Sequence, residues 1–106
     1  MQSITSVQPK ELFPGITGYY VHGDNTTFGY IELKKGTMVP LHQHVQEQVT
    51  YIVSGQLDMT IGGVDYALTP GMVHVIPSNT PHNAVAVVDT VAIDSFSPVR
   101  EDYKAV

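Results

Sequence analysis

Two histidines separated by a single residue, His42 and His44, are followed by Gln48 and, further along the chain, by His82. Neutral imidazole nitrogens are good ligands for transition metals, and an amide oxygen can complete such a set. Side chains of equal parity share one face of a strand, so the first three would converge if this stretch were extended. The four residues are therefore predicted to bind one divalent metal ion (Ni, Zn, Fe or Mn). The alternative is a histidine-containing loop that binds nothing.

Other residues compete for roles at this site. Glu47 is a possible oxygen ligand, but its parity is opposite to that of the first two histidines, which favours Gln48. A structural role in a Pro–His turn is the alternative for His82. The remaining histidines fit no ligand spacing: we interpret His74 as a strand residue with a satisfied partner and His22 as a surface residue.

The composition is that of one folded domain over residues 1–106, with 42% hydrophobic and 14% charged residues. The absence of cysteine excludes disulfides, thiolate nucleophiles and cysteine-ligated metals, so metal ligands must be histidine and oxygen donors. A net charge of −5 with only five lysines and arginines argues against nucleic acid as a partner. No basic residue precedes Lys10 and no long apolar run follows, so we expect a cytoplasmic protein without a secretory signal or membrane span.

Short runs rich in Val, Ile, Tyr and Thr, bounded by Gly and Pro, predict an all-β sandwich or small barrel. The predicted strands are Phe28–Lys34, Val49–Val53, Leu57–Ile61, Val64–Leu68, Val73–Ile76, Ala84–Val88 and Val91–Phe96. Gly62–Gly63 predicts a two-residue hairpin turn. Residues 1–20 are expected to form an N-terminal arm with one or two strands, and Ala105 and Val106 a free tail. No sustained helical periodicity is present, so no helix longer than about two turns is expected.

The glycines around the first histidines complete a longer pattern. Five residues separate Gly36 from the His-x-His pair, three separate the pair from Gln48, and six more lead to Gly55. This pattern resembles the first motif of the cupin family, in which glutamate usually stands at the position that Gln48 holds here.

A second pattern follows in order, with five residues between Gly71 and Pro77 and then His82. It resembles the second cupin motif, but departs from it at Asn79, where glycine is usual, and at Ala86, where asparagine is usual. Together the motifs span residues 36–86. The resemblance implies a single-domain cupin jelly-roll β-barrel, which usually forms a homodimer.

A narrower resemblance is to the KdgF group, small cupins of pectin degradation. It is carried by the His42–Gly55 stretch, by Ile61-Gly-Gly63 and by the ending from Asp94 to Tyr103. Members of that group bind one metal through three histidines and one glutamine, and they linearise the unsaturated monouronate that lyases release from pectin or alginate. The resemblance implies that Asp94, Phe96 and Arg100 are the catalytic-pocket residues.

Each of these pocket residues has a plainer interpretation. Asp94 and Phe96 share parity on one predicted strand, so Asp94 could face a barrel interior and transfer a proton, or be a charge on an exposed strand edge. Phe96 could be an ordinary core residue. Arg100 could bind a carboxylate with its planar fork, or pair on the surface with Glu101 or Asp102.

Three functions remain open at this point. The leading one is metal-dependent, non-redox linearisation of a small anionic sugar acid. Three imidazoles and an amide leave a divalent ion its full charge, which favours Lewis acid chemistry on such a substrate. The alternatives are a metal-dependent cupin dioxygenase and a non-catalytic module that binds a small acid or sugar.

Overall fold

The computed structural model describes residues 1–104, so the tail predicted at Ala105 and Val106 lies outside the described residues. Over residues 1–104 the chain forms ten strands: β1 (Lys10–Phe13), β2 (Ile16–His22), β3 (Thr27–Leu33), β4 (Met38–His42), β5 (Glu47–Ser54), β6 (Leu57–Ile61), β7 (Val64–Leu68), β8 (Val73–Ile76), β9 (His82–Ala86) and β10 (Thr90–Ser97). Two short helical turns flank them, a 3₁₀ turn at Ile4–Ser6 and α1 at Glu101–Lys104. The all-β prediction is confirmed. No helix in the described part of the chain is long and apolar enough to cross a membrane.

The strands form two facing antiparallel sheets, in the arrangement of a jelly roll. The six-stranded sheet has the order β1-β2-β3-β10-β5-β8 and the four-stranded sheet has the order β4-β9-β6-β7. Alternate side chains point between the sheets: in β3 these are Thr27, Gly29, Ile31 and Leu33. Ile52 and Ile76 are fully buried at the centre of this core.

Over residues 1–104, backbone hydrogen bonds do not join the two sheets into a closed barrel. Side chains span the gaps between the edge strands instead. Tyr66 of β7 packs against His74 of β8, with ring centroids 4.3 Å apart, and Phe13 of β1 approaches His42 of β4 at 6.4 Å. His74 is thus a strand residue with an aromatic neighbour.

Most predicted strands are present with small shifts at their ends. β6, β7 and β8 have the predicted bounds, whereas β9 begins at His82, two residues before the prediction. The N-terminal arm contributes two strands, and the second reaches His22. The strand β4 was missed, because Pro40 interrupts it and its exposed edge position gives no alternation of apolar and polar residues.

Positive backbone φ angles mark the turns on which the topology depends. Gly62 and Gly63 have φ of 56° and 81° and join the paired residues Ile61 and Val64, which confirms the predicted hairpin. Asn79, where the resembled motif has glycine, is the non-glycine residue with positive φ in residues 1–104, at 57°. Asparagine tolerates this conformation better than most residues, so the departure preserves the turn.

Gly55 lies where two turns meet at the end of β5 opposite Gln48. A Cβ atom on Gly55 would lie 2.4 Å from the carbonyl oxygen of Asp89 and 2.5 Å from Oγ1 of Thr90. Thr90 Oγ1 also accepts a hydrogen bond from the amide of Gln56 at 3.1 Å. The β5–β6 turn and the β9–β10 turn are therefore packed too closely for any side chain at this position.

Two glycines of nearly equal φ separate strain from packing. We expect Gly36→Ala (φ +83°, open space around the new Cβ) to lower the free energy of unfolding by about 1–2 kcal/mol through backbone strain alone. Gly55→Ala (φ +86°) should lower the free energy of unfolding by about 1–3 kcal/mol more than Gly36→Ala does, because its new Cβ overlaps Asp89 and Thr90. Chemical denaturation of both variants measures this difference, and equal losses would contradict the packing argument.

Candidate metal centre and active site

The first three candidate ligands come from three different local structures. His42 is the last residue of β4, His44 lies in the loop 43–46, and Gln48 is on β5. The premise that one extended strand carries all three is therefore wrong. They converge because β4 and β5 belong to facing sheets and the chain turns between them. His42 also pairs across strands with His82 of β9, which brings the fourth residue to the same place.

The loop that carries His44 is held by the turn that precedes His82. The backbone amide of Asn79 donates to the carbonyl oxygen of His44 at 2.8 Å, and the hydroxyl of Ser78 donates to the carbonyl oxygen of Val45 at 2.6 Å. The turn at Asn79 thus supplies an amide that fixes the backbone of a candidate ligand.

The three histidines form a compact cluster with one tautomer. One nitrogen of each lies within 4.8 Å of the others. The Nδ1 atoms of His42, His44 and His82 donate to the carbonyl oxygens of Pro40, Gln46 and Thr80 at 2.8, 2.9 and 2.8 Å. A carbonyl can only accept, so each proton is on Nδ1 and each Nε2 keeps its lone pair. Such a set could hold a metal ion.

Two further observations are better explained by a bound cation than by a hydrogen bond. Nε2 of His82 is buried and has no hydrogen-bond partner within the described part of the chain. Oε1 of Gln48 lies 3.1 Å from Nε2 of His44, although both atoms present lone pairs. Burial lowers the pKa of His44, and it lowers the pKa of His82 to about 4, so both are neutral at pH 7 as metal ligands must be. Glu47, by contrast, is exposed.

Asp94 lies on the inner face of β10, a central strand, and not on a sheet edge. It pairs across strands with Thr50, whose hydroxyl donates to Oδ1 of Asp94 at 2.7 Å. Nε2 of Gln48 donates in turn to Oγ1 of Thr50 at 3.0 Å. Burial raises the pKa of Asp94 to about 6, against the opposing effects of the hydrogen bonds from Thr50 and Gln48 and the charge of Arg100.

Arg100 is buried, with 6% of its surface exposed, and its guanidinium group packs against two aromatic rings that lie nearly perpendicular to each other. Its carbon Cζ lies 3.8 Å from the ring centre of Tyr103 and 4.8 Å from that of Phe96. Nε and Nη2 donate to the carboxylate of Asp102 at 3.1 and 2.9 Å, so the predicted alternative, a pair with Asp102, is present. Nη1 is buried and has no hydrogen-bond partner among residues 1–104.

A cavity of about 70 Å³ lies between the two sheets, and most of these groups line it, although His44 and Arg100 do not. Its polar lining comes from His42, His82, Gln48, Thr50 and Asp94. Phe96, which is 3% exposed, lines the cavity and also packs edge-on against His44 with centroids 5.8 Å apart. Phe96 is therefore both a core residue and a wall of the candidate site.

Tyr20 is a cavity residue that sequence reasoning missed. Its ring lies flat over two glycines, since a Cβ on Gly18 or Gly29 would come within 2.5 or 2.9 Å of it. On its other side the ring meets Tyr103, with centroids 4.7 Å apart. The signal for Tyr20 was present in the parity of β2, where Ile16, Gly18 and Tyr20 share the inner face.

Gln46 and Thr50 were also missed. The carbonyl of Gln46 orients His44, and its side-chain amide donates to the carbonyl oxygen of Val99 at 3.3 Å, next to Arg100. A single sequence carries no signal for such contacts, because they depend on which strands become neighbours. His22 is partly buried at the end of β2, and its Nδ1 lies 2.8 Å from Oγ1 of Thr27.

The class of protein follows from this fold and from comparison with known proteins. The model of the cupin domain family matches residues 29–93, so the chain belongs to the cupin family. It is similar to the pectin degradation protein KdgF of Dickeya dadantii (strain 3937), with 29% identity over 75 residues that cover 69% of this chain and 68% of that protein.

Two solved structures extend this similarity over most of the chain. The structure of KdgF from Halomonas sp. superposes with a TM-score of 0.86 and 30% identity, covering 93% of each chain. An RmlC-like cupin from Shewanella frigidimarina NCIMB 400 superposes with a TM-score of 0.91 and 27% identity, covering 97% of this chain and 94% of that one. The predicted cupin jelly roll and the resemblance to KdgF are confirmed.

The cluster makes a direct prediction about metal content. We expect His42→Ala and His82→Ala each to remove most of the bound metal, with a smaller loss in Gln48→Ala because an amide is a weaker ligand. His74→Ala is the matched control, since His74 is a partly buried strand histidine outside the cluster. Elemental analysis after metal loading and desalting measures the content. Stoichiometric metal in a His42→Ala/His82→Ala double variant would refute the site.

Proposed function

We propose that this protein linearises 4,5-unsaturated monouronates from pectin or alginate breakdown, with one divalent metal ion. The observation that carries the proposal is the Asp94 carboxylate, which lines the same cavity as His42 and His82. The similarity to KdgF, named a pectin degradation protein, supports the choice of substrate class.

His42, His44, Gln48 and His82 are the residues that would hold the ion. All four would bind through neutral groups, so the ion would keep its full charge. When bound, it would supply Lewis acid polarisation of a substrate oxygen.

Asp94 is proposed to move the proton. The cyclic unsaturated uronate is both a hemiacetal and an enol ether. On opening, the bond between C1 and the ring oxygen breaks, the C1 hydroxyl loses its proton to leave an aldehyde, and the ring oxygen gains a proton to give an enol. Tautomerisation then moves one proton from the enol oxygen to C4 and leaves a ketone. Atoms and electrons balance without a co-reactant. One carboxylate that accepts and returns a proton is therefore sufficient. A pKa of about 6 for Asp94 suits this proton exchange.

Arg100 is proposed to bind the substrate carboxylate. Two of its N–H groups are engaged by Asp102, which fixes the guanidinium plane, while Nη1 has hydrogens without an acceptor. A carboxylate would satisfy this buried donor with a charge-assisted hydrogen bond. Phe96 would wall the pocket beside it and exclude water.

A homodimer and a cytoplasmic location are part of this proposal. The outer faces of β5 and β8 expose neighbouring apolar side chains, among them Tyr51, Val53, Val73 and Val75. A second copy of the chain would cover this surface. Sedimentation equilibrium of the purified protein tests the dimer.

Asp94 and Arg100 should fail in different ways when substituted. In an assay of the loss of unsaturated-uronate absorbance, corrected for spontaneous opening, we expect Asp94→Asn to lower kcat by roughly 10²–10⁴ while it still binds metal. Arg100→Ala should instead raise KM by on the order of 10²-fold, because a charge-assisted contact is lost, and high substrate should partly restore its rate. Asp58→Asn, an exposed carboxylate on β6, is the control and should match wild type.

The same assay separates the three functions. A metal-loaded wild type that gives only the spontaneous rate would refute the proposal for this substrate. Saturable uronate binding without product would then support a binding module. Oxygen consumption that is abolished when zinc replaces the native metal would support a dioxygenase. Wild-type turnover in Asp94→Asn would remove the proton-transfer role alone.

A further inference from the structure

Thr50 lies between Gln48 and Asp94 and makes a hydrogen bond to each of them. It is 1% exposed, accepts from Nε2 of Gln48 at 3.0 Å and donates to Oδ1 of Asp94 at 2.7 Å. Its hydrogen bond to the proposed metal site is therefore made through the Gln48 side chain.

The single proton of the Thr50 hydroxyl determines the direction of both hydrogen bonds. A carboxylate can only accept, so the proton goes to Asp94. The lone pairs of the hydroxyl are then left to accept, and the group they can accept from is the NH₂ of Gln48. With its nitrogen turned towards Thr50, the amide presents its oxygen to Nε2 of His44, 3.1 Å away.

In the absence of a metal, the opposite orientation of the Gln48 amide, with its NH₂ group towards His44, would also form a hydrogen bond. Because Nδ1 of His44 donates to the carbonyl of Gln46, Nε2 of His44 is a lone-pair acceptor. An NH₂ group of Gln48 turned towards it would form an N–H···N hydrogen bond and occupy the lone pair that a metal needs. The hydrogen bond that this NH₂ group donates to Thr50 on the opposite side, supported by its attraction to the Asp94 carboxylate beside Thr50, disfavours that orientation.

We propose that Thr50 is a positioning residue that holds the Gln48 amide with its oxygen towards the histidines and thereby makes Gln48 a metal ligand. This inference rests on the metal site of the proposed function. It predicts an effect on metal affinity from a residue that does not bind the metal.

The first test is metal affinity, measured by competition with a chromophoric chelator for Zn²⁺. We expect Thr50→Val, which keeps the volume and removes the hydroxyl, to weaken Zn²⁺ binding by about 10–100-fold. Thr50→Ser restores the hydroxyl and should bind within a few-fold of wild type. Thr90→Val is the matched control: Thr90 is 2% exposed and its hydroxyl is hydrogen-bonded at the opposite end of the sheet, so its loss should leave Zn²⁺ affinity unchanged.

The second test reads the amide orientation in metal-free protein and needs neither metal nor substrate. In wild type, the NH₂ protons of Gln48 should show nuclear Overhauser effects to the side chain of Thr50 and not to the imidazole of His44. In Thr50→Val the imidazole contacts should appear.

The outcomes distinguish this inference from the proposed function. Wild-type Zn²⁺ affinity in Thr50→Val would overturn the positioning role and leave the metal site intact. A wild type that binds no metal would refute the metal site, and the metal-free spectrum would still decide the orientation. NH₂ contacts to His44 in wild type would overturn the inference even if Thr50→Val does not fold.

Discussion

The pairing of β5 with β10 is the interaction on which the candidate site depends. Its register sets Gln48 opposite Phe96 and Thr50 opposite Asp94, so four inward-facing residues form one block on the six-stranded sheet. A slip of β10 by one residue would turn Asp94 and Phe96 to the outer face, away from Gln48 and Thr50, because strand side chains alternate. The same pairing buries Ile52 and Ala92. The register that packs the hydrophobic core is therefore also the register that assembles the polar site.

This arrangement divides the site between the two sheets. The four-stranded sheet supplies His42 and His82, whose lone pairs are oriented by backbone carbonyls. The six-stranded sheet supplies Gln48 and, beside it, Asp94. Burial raises the pKa of the Asp94 carboxyl group to about 6. Because the four candidate ligands are neutral, a bound ion would be balanced by Asp94 or by an anionic ligand. Under the proposed function, that imbalance is the physical reason why a small acid would suit the site.

Sequence patterns predicted the parts of this site that depend on spacing and failed for those that depend on neighbours. The alternation along β10 correctly placed Asp94 and Phe96 on one face, and β6 to β8 were predicted to the residue. The convergence of His42 and His44 was predicted for the wrong reason, since a loop and not a strand carries His44. Strand order decides which polar residues meet across the sheet, so Thr50 had no signal in a single chain.

The C-terminal turn shows how a surface segment becomes part of the site. Gln46 connects it to the loop of His44 by donating to the carbonyl of Val99, and Lys10 of β1 donates to the carbonyl of Tyr103 at 2.6 Å. Arg100 lies between these two attachments, and its own amide donates to the hydroxyl of Thr27 at 2.9 Å. A buried Nη1 that has no partner among the described residues costs free energy until a ligand binds it, and these hydrogen bonds hold the segment in place against that cost. The segment proposed to bind the substrate and the loop proposed to bind the metal are therefore joined by a hydrogen bond. A displacement of one would also displace the other.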